Sequence, residues 1–173
     1  MKRIATIAAL VLMSSHTAWA AGTQQDVQAE MKKMEEAQAR LMSAMMTEMP
    51  SRFGFKETTA ALQEAAKKRG WEVGPAMDMQ EVMLKAGNKG AKPFTILPMC
   101  KKDLAESLIK AQVAKKAIPF APCRMSVFEG INGKIYIAKP NTELMAQLAE
   151  PTFAPLLKKF VEEEKAVLAN IIQ

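Results

Sequence analysis

Sulfur is the element best placed to do chemistry in this chain. Cys100 and Cys123 are its two cysteines, and fourteen methionines accompany them. A lone pair of cysteines can close a disulfide, serve as a reactive or metal-binding thiol pair, or pack as two separate small hydrophobes. Cys100 ends an apolar, strand-like stretch (94–99) and sits just before a helical pattern, while Cys123 follows Pro122 and precedes an alternating stretch (124–129). If those strands are neighbours, the sulfurs meet. A helix N-terminus and the adjacent Lys101 and Lys102 favour thiolate at Cys100. Met99, Lys101, Lys102, Pro122 and Arg124 flank the pair, and they are the residues expected to line a pocket around it.

The methionines carry a second possibility. If residues 23–49 form one helix, Met31, Met34, Met42, Met45 and Met49 fall on one face, because eleven residues close about three turns. Thioethers are soft ligands that suit Cu(I), which makes copper the one cofactor with donors in view. The weightier reading is a packing face, flanked by Leu41 and Met46, for a protein partner or a second copy of the chain. Met77, Met79, Met83, Met99 and Met125 fit a core or pocket lining.

What the chain lacks narrows the field. Lys2 and Arg3 precede an apolar run over residues 4–13, and Ala18-Trp19-Ala20 offers a cleavage site, the three-part pattern of an export signal. The run is shorter than the about 20 residues a membrane span needs, and no later segment is apolar enough. The expectation is therefore a periplasmic protein beginning at Ala21. The single histidine, His16, lies inside the signal. A mature chain without histidine has no Ser-His-Asp triad, Cys-His pair or His-ligated metal. Losing Lys2 and Arg3 takes the 24 Lys and Arg to 22 against 18 Asp and Glu, a net charge of +4. The basic residues are interspersed with acids and no aromatic stripe follows them, which argues against nucleic acid as a partner.

The elements that must position the cysteines follow from pattern. Residues 21–50 are rich in Ala, Gln, Glu, Lys and Met, without an internal Pro, and predict a Met-rich amphipathic helix stopped by Pro50. Residues 51–150 predict an α+β domain: a short edge strand at 51–55, a helix at 57–69 closed by Gly70, a strand at 71–73, a short helix at 78–86 closed by Gly87, a strand at 94–99 and a helix at 102–115. Asn132-Gly133 between 124–129 and 134–138 is a hairpin signal, so the sheet is expected to be antiparallel. Asn141 caps a short helix, and residues 151–173 give a final amphipathic helix. Ser107-x-x-Lys110 is a chance match without companion motifs, residues 87–92 are a connector, and Glu162-Glu163-Glu164 reads as a solvated helix face.

Three segments resemble one bacterial family. Lys68-Arg69-Gly70-Trp71-Glu72-Val73 is similar to its opening helix and strand, Ile96-Leu97-Pro98-Met99-Cys100 with Asp103-Leu104-Ala105 to its strand, cysteine and helix, and Ala121-Pro122-Cys123-Arg124 to its Pro-Cys motif. Together they resemble domain-of-unknown-function family number 302 over roughly residues 51–150. The resemblance implies a small antiparallel sheet of the TATA-binding-protein-like type, with helices on one face and homodimers plausible. The family's Asn-Pro after the first cysteine is replaced here by Lys101 and Lys102, and the family carries no common activity over. The expected function is an exported binding or accessory protein presenting the Cys pair to a soft metal, a thiol-reactive or an apolar ligand. A thiol-redox enzyme, with Cys100 as nucleophile and Cys123 as resolving thiol, is the second class. A structural protein with a stapling disulfide is the third. The residues lean away from an enzyme.

Overall fold

The computed structural model describes residues 17–173, so most of the expected export signal, His16 included, lies outside the described residues. The chain divides between Ser43 and Ala44 into two units. The first contains nearly all of α1 (Thr17–Ala44). Met31, Met34 and Met42 lie exposed along this helix, together with Val27 and Leu41.

The helix stops five residues short of the expected end. Ala44 O accepts from the side-chain amide of Asn141 (2.8 Å) and Met45 O from the Asn141 backbone N–H (2.8 Å). The chain is thereby drawn into β1 (Met46–Pro50), whose residues pair antiparallel with Tyr136 to Pro140. Helix propensity through residues 45–49 is overridden by tertiary pairing, as propensities worth fractions of a kcal/mol per residue allow. The edge strand expected at 51–55 is correspondingly displaced upstream, leaving Ser51 a single bridge to Ile172.

The second unit continues with α2 (Phe55–Lys68), β2 (Glu72–Val73), β3 (Met77–Asp78), α3 (Met79–Lys85), β4 (Phe94–Cys100), α4 (Lys102–Ala114), β5 (Arg124–Glu129), β6 (Ile135–Pro140), α5 (Thr142–Leu148) and α6 (Ala154–Leu168). The strands form one open sheet in the order β1-β6-β5-β4-β2, with β3 also on β4 and every pairing antiparallel. This is the α+β architecture expected. Gly70 (φ 71°) and Gly133 (φ 74°) occupy left-handed backbone positions, after α2 and in the β5–β6 hairpin, where a Cβ would be strained. Asp78 accepts from Glu81 N and Asn141 from Leu144 N, capping α3 and α5.

Strand alternation sets two faces. Leu97 and Met99 of β4, Met125 and Val127 of β5 and Ile137 of β6 are buried against Leu62 and Ala66 of α2 and Val167 and Leu168 of α6. A second cluster joins Ala105 and Leu108 of α4, Ala146 of α5 and Leu157 and Phe160 of α6. Helices α2, α4, α5 and α6 thus serve one face. The alternate residues, Phe94, Ile96, Ser126, Phe128, Tyr136 and Ala138, belong to the other.

Candidate functional site

The open face is not flat, and its shape follows from register. Phe94 opposes Phe128 and Phe128 opposes Tyr136, so three aromatic rings cross β4, β5 and β6 in one row. Phe128 stacks on Tyr136 at 5.7 Å between centroids and meets Phe94 edge-on at 6.5 Å, both favourable arrangements. Two residues along each strand, on the same face, Ser126 opposes Ala138. Two small side chains beside a row of large ones leave a trough. Met46 of β1 bounds it on one side, while Met83 of α3 and the 88–93 loop rise over the other.

The resulting groove encloses about 450 Å³ and has a largely apolar wall of Met46, Met83, Ala91, Pro93, Phe94 and Phe128. Its polar groups are few: Ser126 on the floor, Asn88 in the loop, and Lys92 with Glu129 at one end. Lys92 Nζ is held by Glu129 Oε1 (3.1 Å) and Gly130 O (2.8 Å), which fixes that end. The aromatic row is braced from behind. Asn132 Nδ2 donates to Tyr136 Oη (2.8 Å), and the Tyr136 ring packs so close to Gly130 that a Cβ there would lie 2.8 Å from Cε2.

The cysteines do meet. Cys100 and Cys123 form a disulfide, with Cα atoms 4.4 Å apart, beside the backbone bond from Met99 N to Cys123 O (3.2 Å). The bond ties the end of β4 to the start of β5 and packs against the α4–α5–α6 cluster. The residues expected to line a pocket around it lie in different environments. Met99 is buried in the main core and Pro122 is also buried, while Arg124 is exposed. Lys101 Nζ donates to Arg69 O (2.8 Å) at the end of α2, whose last carbonyls need donors. Lys102 pairs with Glu72 (3.2 Å), which β2–β4 pairing places beside Cys100. Both lysines are therefore committed to neighbouring elements.

The methionine stripe is divided. Met31, Met34 and Met42 share α1, whereas Met45 lies beyond the helix and Met49, in β1, packs against the main core. Among the described residues, no group of three or more His, Cys, Asp or Glu side chains is arranged to hold a metal ion.

One constellation was invisible in sequence. Lys139 and Glu164, 3% and 1% exposed, lie 2.9 Å apart beneath β6 and α6. Lys139 Nζ also donates to Glu143 (3.1 Å) and Pro140 O (3.2 Å), and Thr142 Oγ1 donates to Glu164 Oε1 (2.9 Å). Burial pushes the Glu164 carboxyl up, with Lys139 opposing it. The triple Glu162-Glu163-Glu164 is thus not a uniform solvated face. Glu164 is core, and Glu163 accepts from Arg69 Nη2 (3.1 Å) and Trp71 Nε1 (3.4 Å). The bond from Arg69 holds the Glu163 carboxyl below its ordinary value.

No helix among the described residues is long and apolar enough to cross a membrane. No curated protein matches the sequence. The fold is similar to a crystal structure of an uncharacterized conserved protein DUF302 from Bacillus stearothermophilus, with a TM-score of 0.62 and 22% identity over 73% of this chain and 97% of that one. The family model described as domain of unknown function DUF302 matches residues 47–172, a span that includes the disulfide, α6, and β1 and the groove lining apart from Met46. The chain belongs to the DUF302 family.

Proposed function

We propose that this chain is an exported binding protein, without catalytic activity, whose open sheet face takes a small apolar molecule carrying an aromatic ring. The groove carries the reading. Its volume of about 450 Å³ lies within the roughly 300–1,000 Å³ of small-molecule sites, and it combines an apolar wall with few polar groups, as such sites do. A planar ring lying over the Ser126–Ala138 floor would reach the Phe94 and Phe128 rings, and Ser126 or Asn88 would meet a polar substituent. Catalysis has little to work with there, since the Lys92–Glu129 pair is the groove's only charged group and each partner neutralises the other.

In this reading the Cys100–Cys123 bond is a stabilising staple that joins the end of β4 to the start of β5, outside the groove lining. The exposed Met31, Met34 and Met42 are a packing face for a partner or a second copy. Copper would find three thioethers on α1 instead of five.

The test is fluorescence titration with 1-anilinonaphthalene-8-sulfonate, an apolar aromatic probe. Saturable binding that a groove-filling substitution abolishes is the expected result. Absence of saturable binding, or binding indifferent to the groove, would overturn the proposal.

A further inference from the structure

A second surface lies away from the groove, on the segment that the disulfide closes. The outer side of α4 carries Ile109 and Val113, 38% and 57% exposed, and the following loop carries Ile118 and Phe120, 88% and 43% exposed. These apolar side chains are not on a loose loop. Gln112, buried, accepts from Phe120 N through its side chain (2.8 Å) and from Ala117 N through its backbone (2.9 Å). Lys116 takes φ 57°, a left-handed turn that reverses the chain after α4. Ala117 and Ala121 pack on the second core cluster on either side, and the Cys100–Cys123 bond closes the segment. Ile118 is held outward by this scaffold, where burial would repay its exposure.

The charge along this segment has one sign. Residues 107–120 contain Lys110, Lys115 and Lys116, all exposed, and no Asp or Glu. The nearest acid in sequence, Glu106, is 3.5 Å from Lys110 and leaves the lysines of the turn uncompensated. Exposed Ile and Phe on a fixed tip, with two exposed lysines in the adjoining turn, match a surface that offers anionic headgroups over an apolar interior. A protein partner would need a complementary acidic rim, whereas an anionic bilayer supplies both parts at once.

We infer that the disulfide-closed segment from α4 to Phe120 is a peripheral docking surface for an anionic phospholipid bilayer, with Ile118 and Phe120 entering the interface and Lys115 and Lys116 meeting headgroups. The surface is independent of the groove and of what the groove binds.

Cosedimentation of the purified chain with vesicles tests this. Binding is expected to vesicles containing phosphatidylglycerol and not to phosphatidylcholine alone, and to weaken as salt is raised. Ile118→Ser with Phe120→Ser, or Lys115→Gln with Lys116→Gln, should each weaken it by about tenfold or more. Lys32→Gln with Lys33→Gln, the same charge change on α1, should leave it intact, and Ser126→Leu in the groove should do the same. Absent binding, equal binding to both vesicle types, or equal losses from the α1 lysines would overturn the inference. So would an Ile118 effect on self-association with no effect on vesicles, which would make the surface a protein interface.

Discussion

Ser126 and Ala138 stand directly opposite each other on β5 and β6, and this small pair makes the open face of the sheet concave. One row along, Phe94, Phe128 and Tyr136 fill the same three strands with aromatic rings. The difference in side-chain volume between adjacent rows is the physical origin of the groove. The 88–93 loop and Met83 then wall one side of it.

Filling the floor should therefore remove binding without unfolding the protein. Ser126→Leu projects a branched side chain into the trough from a half-buried position. Affinity for an aromatic probe should fall by about tenfold or more, the equivalent of ~1.4 kcal/mol. The melting temperature should move by no more than about 2–4 °C, a change of ~1 kcal/mol in a protein of this size.

The aromatic row depends on Gly130. Gly130→Ala places a methyl group against the Tyr136 ring, which must shift and loosen its stacking on Phe128. A stability loss of about 1–3 kcal/mol is expected from such overpacking. A change in the near-ultraviolet circular dichroism of the aromatics should accompany it, and an unchanged spectrum would count against the packing described.

The buried Lys139–Glu164 pair should respond unequally to single and double replacement. Lys139→Met leaves Glu164 buried without its cation and should cost about 3–5 kcal/mol in chemical denaturation. Adding Glu164→Leu removes the stranded charge and should recover much of that loss, because an apolar pair of similar volume replaces a desolvated ionic one. Additive losses would show that the two side chains do not interact as described.

The Arg69–Glu163 contact gives a pH signature. Glu163 has a folded-state pKa below its unfolded value, chiefly through the hydrogen bond from Arg69. Its contribution is therefore present above the unfolded carboxylate range and is lost as pH falls through the folded pKa. Arg69→Ala should cost about 0.5–1 kcal/mol at neutral pH, discounted for the partial exposure of both partners. Wild type and variant should converge in strong acid, as measured by denaturation at a series of pH values.

The disulfide should contribute to stability and not to ligand affinity. With a sequence separation of 23, closing that loop is worth roughly 3 kcal/mol in the chain-entropy account. Cys100→Ser with Cys123→Ser should lower the unfolding midpoint accordingly. Probe affinity, measured where the variant is still folded, should stay within about twofold of wild type, since a change under ~0.5 kcal/mol is expected away from the site. Loss of an oxidoreductase activity in the same variant would instead favour a redox role.

Local patterns in the sequence carried much of this fold. Residues 94–99 are apolar and strand-like enough that β4 could be placed, and Gly70, Gly87, Asn132-Gly133 and Asn141 each mark a turn or cap that the structure uses. The meeting of Cys100 with Cys123 needed only that β4 and β5 be neighbours. What stayed hidden depended on partners distant in sequence. Residues 46–50 look helical until β6 is available to pair with them. The groove exists only once register sets Ser126 against Ala138. Glu164 resembles its exposed neighbours until Lys139, on another element, is placed beneath it. Lys101 and Lys102 follow a cysteine in sequence but answer to α2 and β2 in space.

The methionines give the most direct measurement of the central claim. Met46 and Met83 line the groove, Met99 and Met125 lie in the core, and Met31, Met34 and Met42 lie exposed on α1. With the methionine methyl groups labelled with carbon-13, 1-anilinonaphthalene-8-sulfonate should be titrated while their resonances are followed by nuclear magnetic resonance. The groove account predicts saturable shifts at Met46 and Met83 with Met31, Met34 and Met42 unmoved. Shifts confined to the α1 methionines, or none at Met46 and Met83, would contradict it.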